Sequence, residues 1–193
     1  MDKLKQVQRL IGGKSMNDTK QVIFKVGGEE YGLDIMLVNA IEKYTNVIKV
    51  PNSPECIKGI INLRGDVIPV FSLRKKFGLP EIPVTENTKL IVTKSKGLLL
   101  AYEVDVVQEI VEISGDKISE APVIVKSDET NYIGSVANID GHLIILLDQD
   151  GIISASEKEK IQAKVEKLIG KNVIIDIVEV RNADVDAQLA AEN

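Results

Sequence analysis

The chain has 193 residues, 27% of them charged, a formal net charge of −5 and one cysteine. That size suits one domain or two small ones and excludes both a peptide hormone and a large multidomain enzyme. The acidic balance argues against a chain whose main work is gripping nucleic acid or an anionic membrane. Ile and Val together supply 48 residues, whereas Phe, Tyr and Trp supply seven. Such a composition favours sheet, because branched side chains pack well on a pleated surface and lose χ1 freedom in a helix.

Met1 to Leu10 places Leu4, Val7, Leu10 and Ile11 at helical spacing before Gly12-Gly13, and reads as a short amphipathic helix or a frayed arm. Met16 is a second candidate translation start. Val22, Phe24 and Val26 alternate with Ile23 and Lys25, Gly27-Gly28 turns the chain, and Tyr31, Leu33 and Ile35 alternate again, which predicts a β-hairpin. From Ile35 to Tyr44 the pattern is ambiguous between strand and helical turn. Val47 and Val50 lead into the loop Asn52-Ser53-Pro54. Ile57 to Leu63 and Val67 to Leu73 are apolar runs around Arg64-Gly65-Asp66, a second, buried hairpin.

Arg74 to Gly78 reads as a short helix or turn. Leu90 to Thr93, Leu98 to Tyr102, Val104 to Ile113, Tyr132 to Ile139 and Leu143 to Leu147 are further strand candidates between glycines. Many short strands with glycine turns predict a barrel or sandwich rather than a βαβ sheet. The tail differs. Ser156 and Glu159 make a capping box, and Ile161, Val165, Leu168 and Ile169 form one helical stripe before Gly170. Val173 to Val180 then reads as a strand and Asp184 to Ala191 as a short acidic helix.

Little chemistry is written in the residues. His142 is the only histidine, which removes His-based triads and multi-His metal sites, and it reads as part of an Asp140-Gly141-His142 turn. Cys56 stands between a proline and an apolar run without a neighbouring base and reads as a small core or loop residue. Gly12-Gly13-Lys14-Ser15 lacks the upstream glycine and strand of a phosphate-binding loop. Asp148 to Glu159 lacks an oxygen ligand at Ile152 and a glycine at Ile153, as a calcium loop would need. No metal or cofactor is expected. No Cys pairing is available and residues 1–15 do not read as a signal peptide. No apolar stretch nears the ~20 residues of a membrane span. The expectation is a cytoplasmic protein without membrane insertion.

Ile57-Lys58-Gly59-Ile60-Ile61-Asn62-Leu63-Arg64-Gly65-Asp66-Val67-Ile68-Pro69-Val70, followed by Leu73-Arg74 and Phe77-Gly78, resembles the central signature of the CheW family, adaptors of bacterial chemotaxis arrays. Glu30-Tyr31-Gly32, Asp34-Ile35, Val104-Asp105, Val107, Glu109-Ile110 and Leu147-Asp148 extend the resemblance over roughly residues 20–154. It implies a mainly β fold of two small five-stranded β-barrels side by side, over residues 19–155. An N-terminal extension (1–18) precedes them and a C-terminal helix–strand–helix extension (156–193) follows. It also implies a non-catalytic scaffold that couples the cytoplasmic hairpin tips of chemoreceptors to the regulatory domain of the histidine kinase CheA.

Val38, Arg64 and Ile110 fall where the family faces the receptor. Val38 and Ile110 are equally readable as core, and Arg64 as a residue that fixes its turn. Some members carry an acid where this chain has Ala40, so Arg64 is left with Glu42, Asp66 or solvent. Ile41 and Val47, expected on the first barrel, are the kinase-facing candidates. Lys164 to Asn193 resembles the end of the type II KH domain of a bacterial ribosomal small-subunit protein, without the Gly-x-x-Gly loop that clamps RNA. Gene fusion, a constructed chimera and chance similarity are all open, and nucleic-acid binding through this tail is the remote reading. Alternatives to the adaptor are a CheW-like regulatory module of another chemotaxis protein, an adaptor fused to a receiver, and a carboxylate hydrolase. No ATP-binding motif or receiver-like βαβ run supports the first two, and the third would need two acids facing across a cleft.

Overall fold

The structure, a computed structural model, describes residues 17–95, 97–122 and 131–169. The predicted helix of Met1 to Leu10, the Gly170 stop, the Val173 to Val180 strand and the Asp184 to Ala191 helix lie outside these residues. Gly27 and Gly28, both at positive φ, turn β1 (Thr19–Val26) into β2 (Glu29–Asp34). A 3-10 turn (Ile35–Leu37) then resolves the ambiguous stretch by running into β3 (Val38–Lys43). β4 (Ile57–Leu63) and β5 (Asp66–Ser72) form the second hairpin, and α1 (Leu73–Lys76) follows with Ser72 as its cap. Next come β6 (Lys89–Ser95), β7 (Leu98–Val104) and β8 (Val106–Ile113), the last two separated at Asp105 rather than continuous.

β9 (Ile118–Glu120) has no counterpart among the predicted strands. β10 (Ile133–Ile139) and β11 (His142–Leu147) close a hairpin at Asp140-Gly141, so that exposed His142 opens a strand. The one-turn α2 (Gln149–Ile152) leads to α3 (Ala155–Ile169). The box that caps α3 is Ser154 with Glu157, not Ser156 with Glu159. Ser154 Oγ accepts the Glu157 N–H at 3.2 Å, and Glu157 Oε2 accepts the Ser154 N–H at 2.9 Å. Lys76 lies 3.6 Å from the same carboxylate, an ion pair that Glu159 does not make.

The strands form a six-stranded sheet, β8-β1-β2-β11-β10-β9, and a five-stranded sheet, β3-β6-β7-β5-β4. Both repeat one pattern: an edge strand, an antiparallel hairpin, a short parallel seam and a second hairpin. The expected mainly β fold of two small sheet units is borne out, with the strand count and the word barrel adjusted. One sheet has six strands, and neither closes through a continuous ladder. In the five-stranded sheet the isolated bridge Ile48–Ile60, whose two backbone bonds are each 2.9 Å, ties the chain that follows β3 to edge strand β4. Gly59 permits that approach, since a Cβ there would stand 2.2 Å from the Ile48 carbonyl oxygen.

The near-continuous apolar runs follow from strands buried on both faces. Val22, Phe24 and Val26 of β1 and Leu100, Tyr102 and Val104 of β7 enter a cluster shared by the two sheets. Ile23 enters the six-stranded sheet's own interior, and Leu90, Val92 and Ala101 enter that of the five-stranded sheet. Each fully buried side chain of this size contributes roughly 1.5–3 kcal/mol. Ile161 and Val165 of α3 are buried in the shared cluster as well.

Aromatic stacking and one ion pair lock the sheets together. Tyr31 stacks on Phe77 at 4.8 Å, and Phe77 on Tyr132 at 4.9 Å. Arg74 donates to Asp105 through Nε (2.7 Å) and Nη2 (2.6 Å) and to the Pro80 carbonyl through Nη1 (2.9 Å). Asp105 Oδ2 also accepts the Gly27 N–H at 2.8 Å. This clasp joins α1, the β7–β8 crossing and the β1–β2 turn, and therefore holds one sheet against the other.

Candidate docking site

Edge strand β3 pairs with β6 through Val38↔Thr93, Ala40↔Val92 and Ile41↔Ile91, with a register shift that leaves Asn39 as an extra residue. In a regular strand, residues three apart face opposite ways. The bulge at Asn39 cancels that, so Val38 and Ile41 lie on one face, opposite partners two residues apart and thus about 7 Å from each other. Val38 packs against the shared cluster and Ile41 is 39% exposed. The sequence reading divided these two residues between receptor and kinase, and the structure places them on a single patch.

β8 repeats the arrangement at the edge of the other sheet. It pairs with β1 through Phe24↔Val107, Ile23↔Glu109 and Val22↔Ile110, leaving Gln108 as the extra residue. Val107 packs against the shared cluster as Val38 does, and Ile110, like Ile41, stands two positions beyond an Ala or Glu-flanked bulge and is exposed, at 56%. Ile41 and Ile110 are therefore equivalent positions of the two repeats.

The 3-10 turn between β2 and β3 adds Met36, 85% exposed, held by the Asp34 carboxylate, which accepts its N–H at 2.9 Å. Sequence reasoning missed Met36. An apolar residue beside an ambiguous stretch gives no signal of exposure until the turn is known.

Val47 goes elsewhere. It is half-buried in the interior of the five-stranded sheet, beside Gly59, and is not brought together with Ile41. Ile41 lies on β3 of the five-stranded sheet, and Val47 packs against the interior of that same sheet from the chain after β3.

Arg64 and Gly65 form the two-residue turn of the β4–β5 hairpin, with φ of 56° and 95°. Gly65 N–H donates to Asn62 Oδ1 at 3.0 Å. The Arg64 side chain is 80% exposed and its Nη2 lies 3.3 Å from Glu42 Oε1. Glu42 is on β3 and Arg64 adjoins β4, so the pair spans the two edges of the open sheet. In water such a pair contributes about 0–1 kcal/mol. A left-handed conformation at a residue with a Cβ opposes that by about 1 kcal/mol or more.

A second polar group stabilises the five-stranded sheet. Lys58 Nζ lies 2.9 Å from Glu103 and 3.8 Å from Glu81. Burial works against its charge, but the Glu103 bond and the two carboxylates hold its pKa above the ordinary lysine value. Burial raises the Cys56 thiol above its usual value, with the nearby Glu157 charge adding to the effect, so the thiolate is disfavoured. Among the described residues, no group of three or more His, Cys, Asp or Glu side chains could hold a metal ion. None of their helices is long and apolar enough to cross a membrane.

Two linked sheets with an apolar rim on their edge strands define a class of protein that works by contact. The comparisons agree. Residues 20–157 match the CheW-like domain. The chemotaxis protein CheW of Klebsiella aerogenes is 33% identical over 136 residues, 70% of this chain and 82% of that protein. CheW of Bacillus subtilis is 31% identical over 146 residues, 76% and 92% of the two chains. The scaffolding protein TtCheW from Thermoanaerobacter tengcongensis superposes with a TM-score of 0.66 at 31% identity, covering 76% of this chain and 94% of that one. Separately, the small ribosomal subunit protein uS3 of Agathobacter rectalis is 44% identical over 54 residues, 26% of this chain and 25% of that protein. The chain belongs to the CheW family, whose members are non-catalytic scaffolds.

Proposed function

We propose that this chain is a chemotaxis scaffold that couples chemoreceptor tips to the histidine kinase CheA, and that Val38, Ile41 and Ile110, with Arg64 at the neighbouring turn, form its docking rim. The observation that carries the reading is the pair of bulged edge strands, each with one half-buried valine and one exposed isoleucine on the junction-facing side. A helical hairpin tip presents apolar residues at i, i+3 and i+4 to such a rim, and burying them is favourable by about 25 cal/mol per Å2. Arg64 offers a planar guanidinium for carboxylate oxygens of the partner. Val47 contributes by packing, and its proposed part in kinase contact is indirect.

The work is done in the cytoplasm, at the inner face of the receptor-bearing membrane and without insertion. The ribosomal likeness of the tail is read as a relic of shared sequence rather than as an RNA-binding unit. This is supported by Val165, whose side chain is buried in the core of the scaffold.

Co-sedimentation with receptor-containing membranes and CheA tests the proposal. Ile110→Asp and Val38→Asp are expected to lower recovery in the membrane pellet at least tenfold with the fold retained by circular dichroism. Wild-type protein that joins neither receptor nor kinase would overturn the reading.

A further inference from the structure

α3 and the loop Asn52-Ser53-Pro54 enclose a groove of about 590 Å3, set apart from the edge strands β3 and β8 that carry the docking rim. Lys160, Lys164 and Lys167 line it, at i, i+4 and i+7 of one helix. At about 100° per residue they fall within an arc of about 60°, whereas Glu159 and Glu166 lie about 120° further round, where Gln162 donates to Glu166 Oε1 at 3.2 Å. The helix thus sorts its charges by flank, and the groove receives the cations. Lysines at i, i+4 repel one another. Lys164 Nζ donates to the Pro51 carbonyl, a neutral acceptor. Lys160 and Lys167 are exposed, and their side chains make no ion pair or hydrogen bond among the described residues. The one acid in the wall, Glu157, is already engaged by Ser154 at 2.9 Å and Lys76 at 3.6 Å. The facing loop is fixed as well, since Ser53 Oγ donates to the Val50 carbonyl at 2.9 Å. The groove is therefore a preformed cationic surface without its counter-charge.

We propose that this groove docks an acidic, extended segment of a protein partner. Charge complementarity sets the sign of the occupant, and the spacing of the lysines sets its form. Lys160 to Lys167 spans about 10 Å along the helix axis, with about 6 Å between Lys160 and Lys164. In an extended chain, side chains at i and i+2 share a face about 6.6 Å apart, so alternate Asp or Glu residues meet successive lysines. The lining holds no aromatic ring on which a base could stack, and the chain carries a net charge of −5, which favours a polypeptide over a nucleic acid. Because the groove lies on α3 and not on the edge strands, the scaffold can hold such a segment while its rim is occupied, a contact additional to those of receptor and kinase.

The test follows the fluorescence anisotropy of a fluorescein-labelled decapeptide of alternating glutamate and serine as the full chain is added. Saturable one-to-one binding is expected. It should weaken roughly tenfold or more in Lys160→Glu/Lys167→Glu and stay within about twofold of wild type in Lys160→Arg/Lys167→Arg. Lys20→Glu/Lys94→Glu, whose cations lie outside the groove, should leave it unchanged. Raising salt from about 0.1 M to about 1 M should abolish it, as the screening length falls from about 10 Å to about 3 Å. Absence of saturable binding, an equal loss in Lys20→Glu/Lys94→Glu, or binding that survives the charge reversal in the groove would overturn the proposal. So would an oligouridylate of the same length that binds the groove more tightly than the peptide, which would make the occupant a nucleic acid. Self-association of the chain that the groove reversal abolishes would also overturn it, by making the occupant a second copy. The anisotropy needs no receptor, so docking of an acidic segment and receptor coupling stand or fall separately.

Discussion

Replacing Asp105 by alanine removes the acceptor of two Arg74 bonds and of the Gly27 N–H at one stroke. The Arg74 side chain is 12% exposed and that of Asp105 23%, so the stranded guanidinium regains little water. Breaking a buried charge pair costs about 3–5 kcal/mol, and partial access of water at Asp105 places the expected loss near the lower end, about 3 kcal/mol. With a urea m-value of about 2 kcal/mol per M, the unfolding midpoint falls by about 1.5 M. Urea titration followed by circular dichroism measures this directly. Arg74→Ala should be as damaging, and the double variant little worse than either single one, because both remove the same contact. A midpoint shift below about 0.5 M for Asp105→Ala, or additive losses in the cycle, would refute the reasoning that this clasp is desolvated and holds the sheets together.

The other arginine should behave in the opposite way. Arg64→Ala, which removes only an exposed pair with Glu42, is expected to change stability by less than about 1 kcal/mol while lowering membrane recovery, and equal losses in both assays would contradict its role at the rim. Ile161→Ala should destabilise by about 2–4 kcal/mol, read as a lower thermal midpoint, because this α3 side chain is 3% exposed. For Glu157, burial opposes ionisation, but the Ser154 bonds and Lys76 outweigh it and hold the carboxyl below its ordinary value. Its contribution is therefore complete above the unfolded pKa of about 4.3 and is lost as pH falls through the lower folded value. Glu157→Gln should flatten the acid side of the stability profile, and an unchanged profile would count against the capping box as a source of that dependence.

The hairpins were legible because Gly27-Gly28 and Arg64-Gly65 punctuate runs whose composition already favours strands. The number of strands in each sheet was not, since β9 is three residues long and owes its existence to pairing with β10. Nor was the grouping of the rim residues. Whether Val38 and Ile41 share a face depends on a bulge at Asn39, which the partner strand imposes and which no local pattern announces. Arg64 could be narrowed to Glu42, Asp66 or solvent from the missing acid at Ala40, and the pairing with Glu42 follows from the curl that brings the two sheet edges together. Ser154-x-x-Glu157 and Ser156-x-x-Glu159 satisfy the same capping rule, and only Lys76, distant in sequence, favours the first.

The five-stranded sheet is made entirely of residues that lie between β2 and β8 of the other sheet. Its contacts are local, and it can assemble while the chain is still emerging. β1 and β2 can pair with each other as early, but their outer ladder partners β8 and β11 follow more than seventy residues later, a wait of several seconds at about 5–20 residues per second of synthesis. During that interval Val22, Phe24 and Val26 can pack only against the part of the shared cluster that the five-stranded sheet supplies, while Tyr132, Leu147, Ile152 and Ile161 are still to come. Slowing translation between β8 and β11 lengthens the time the shared cluster stays half built, and should raise the fraction lost to aggregation even though the finished protein is unchanged.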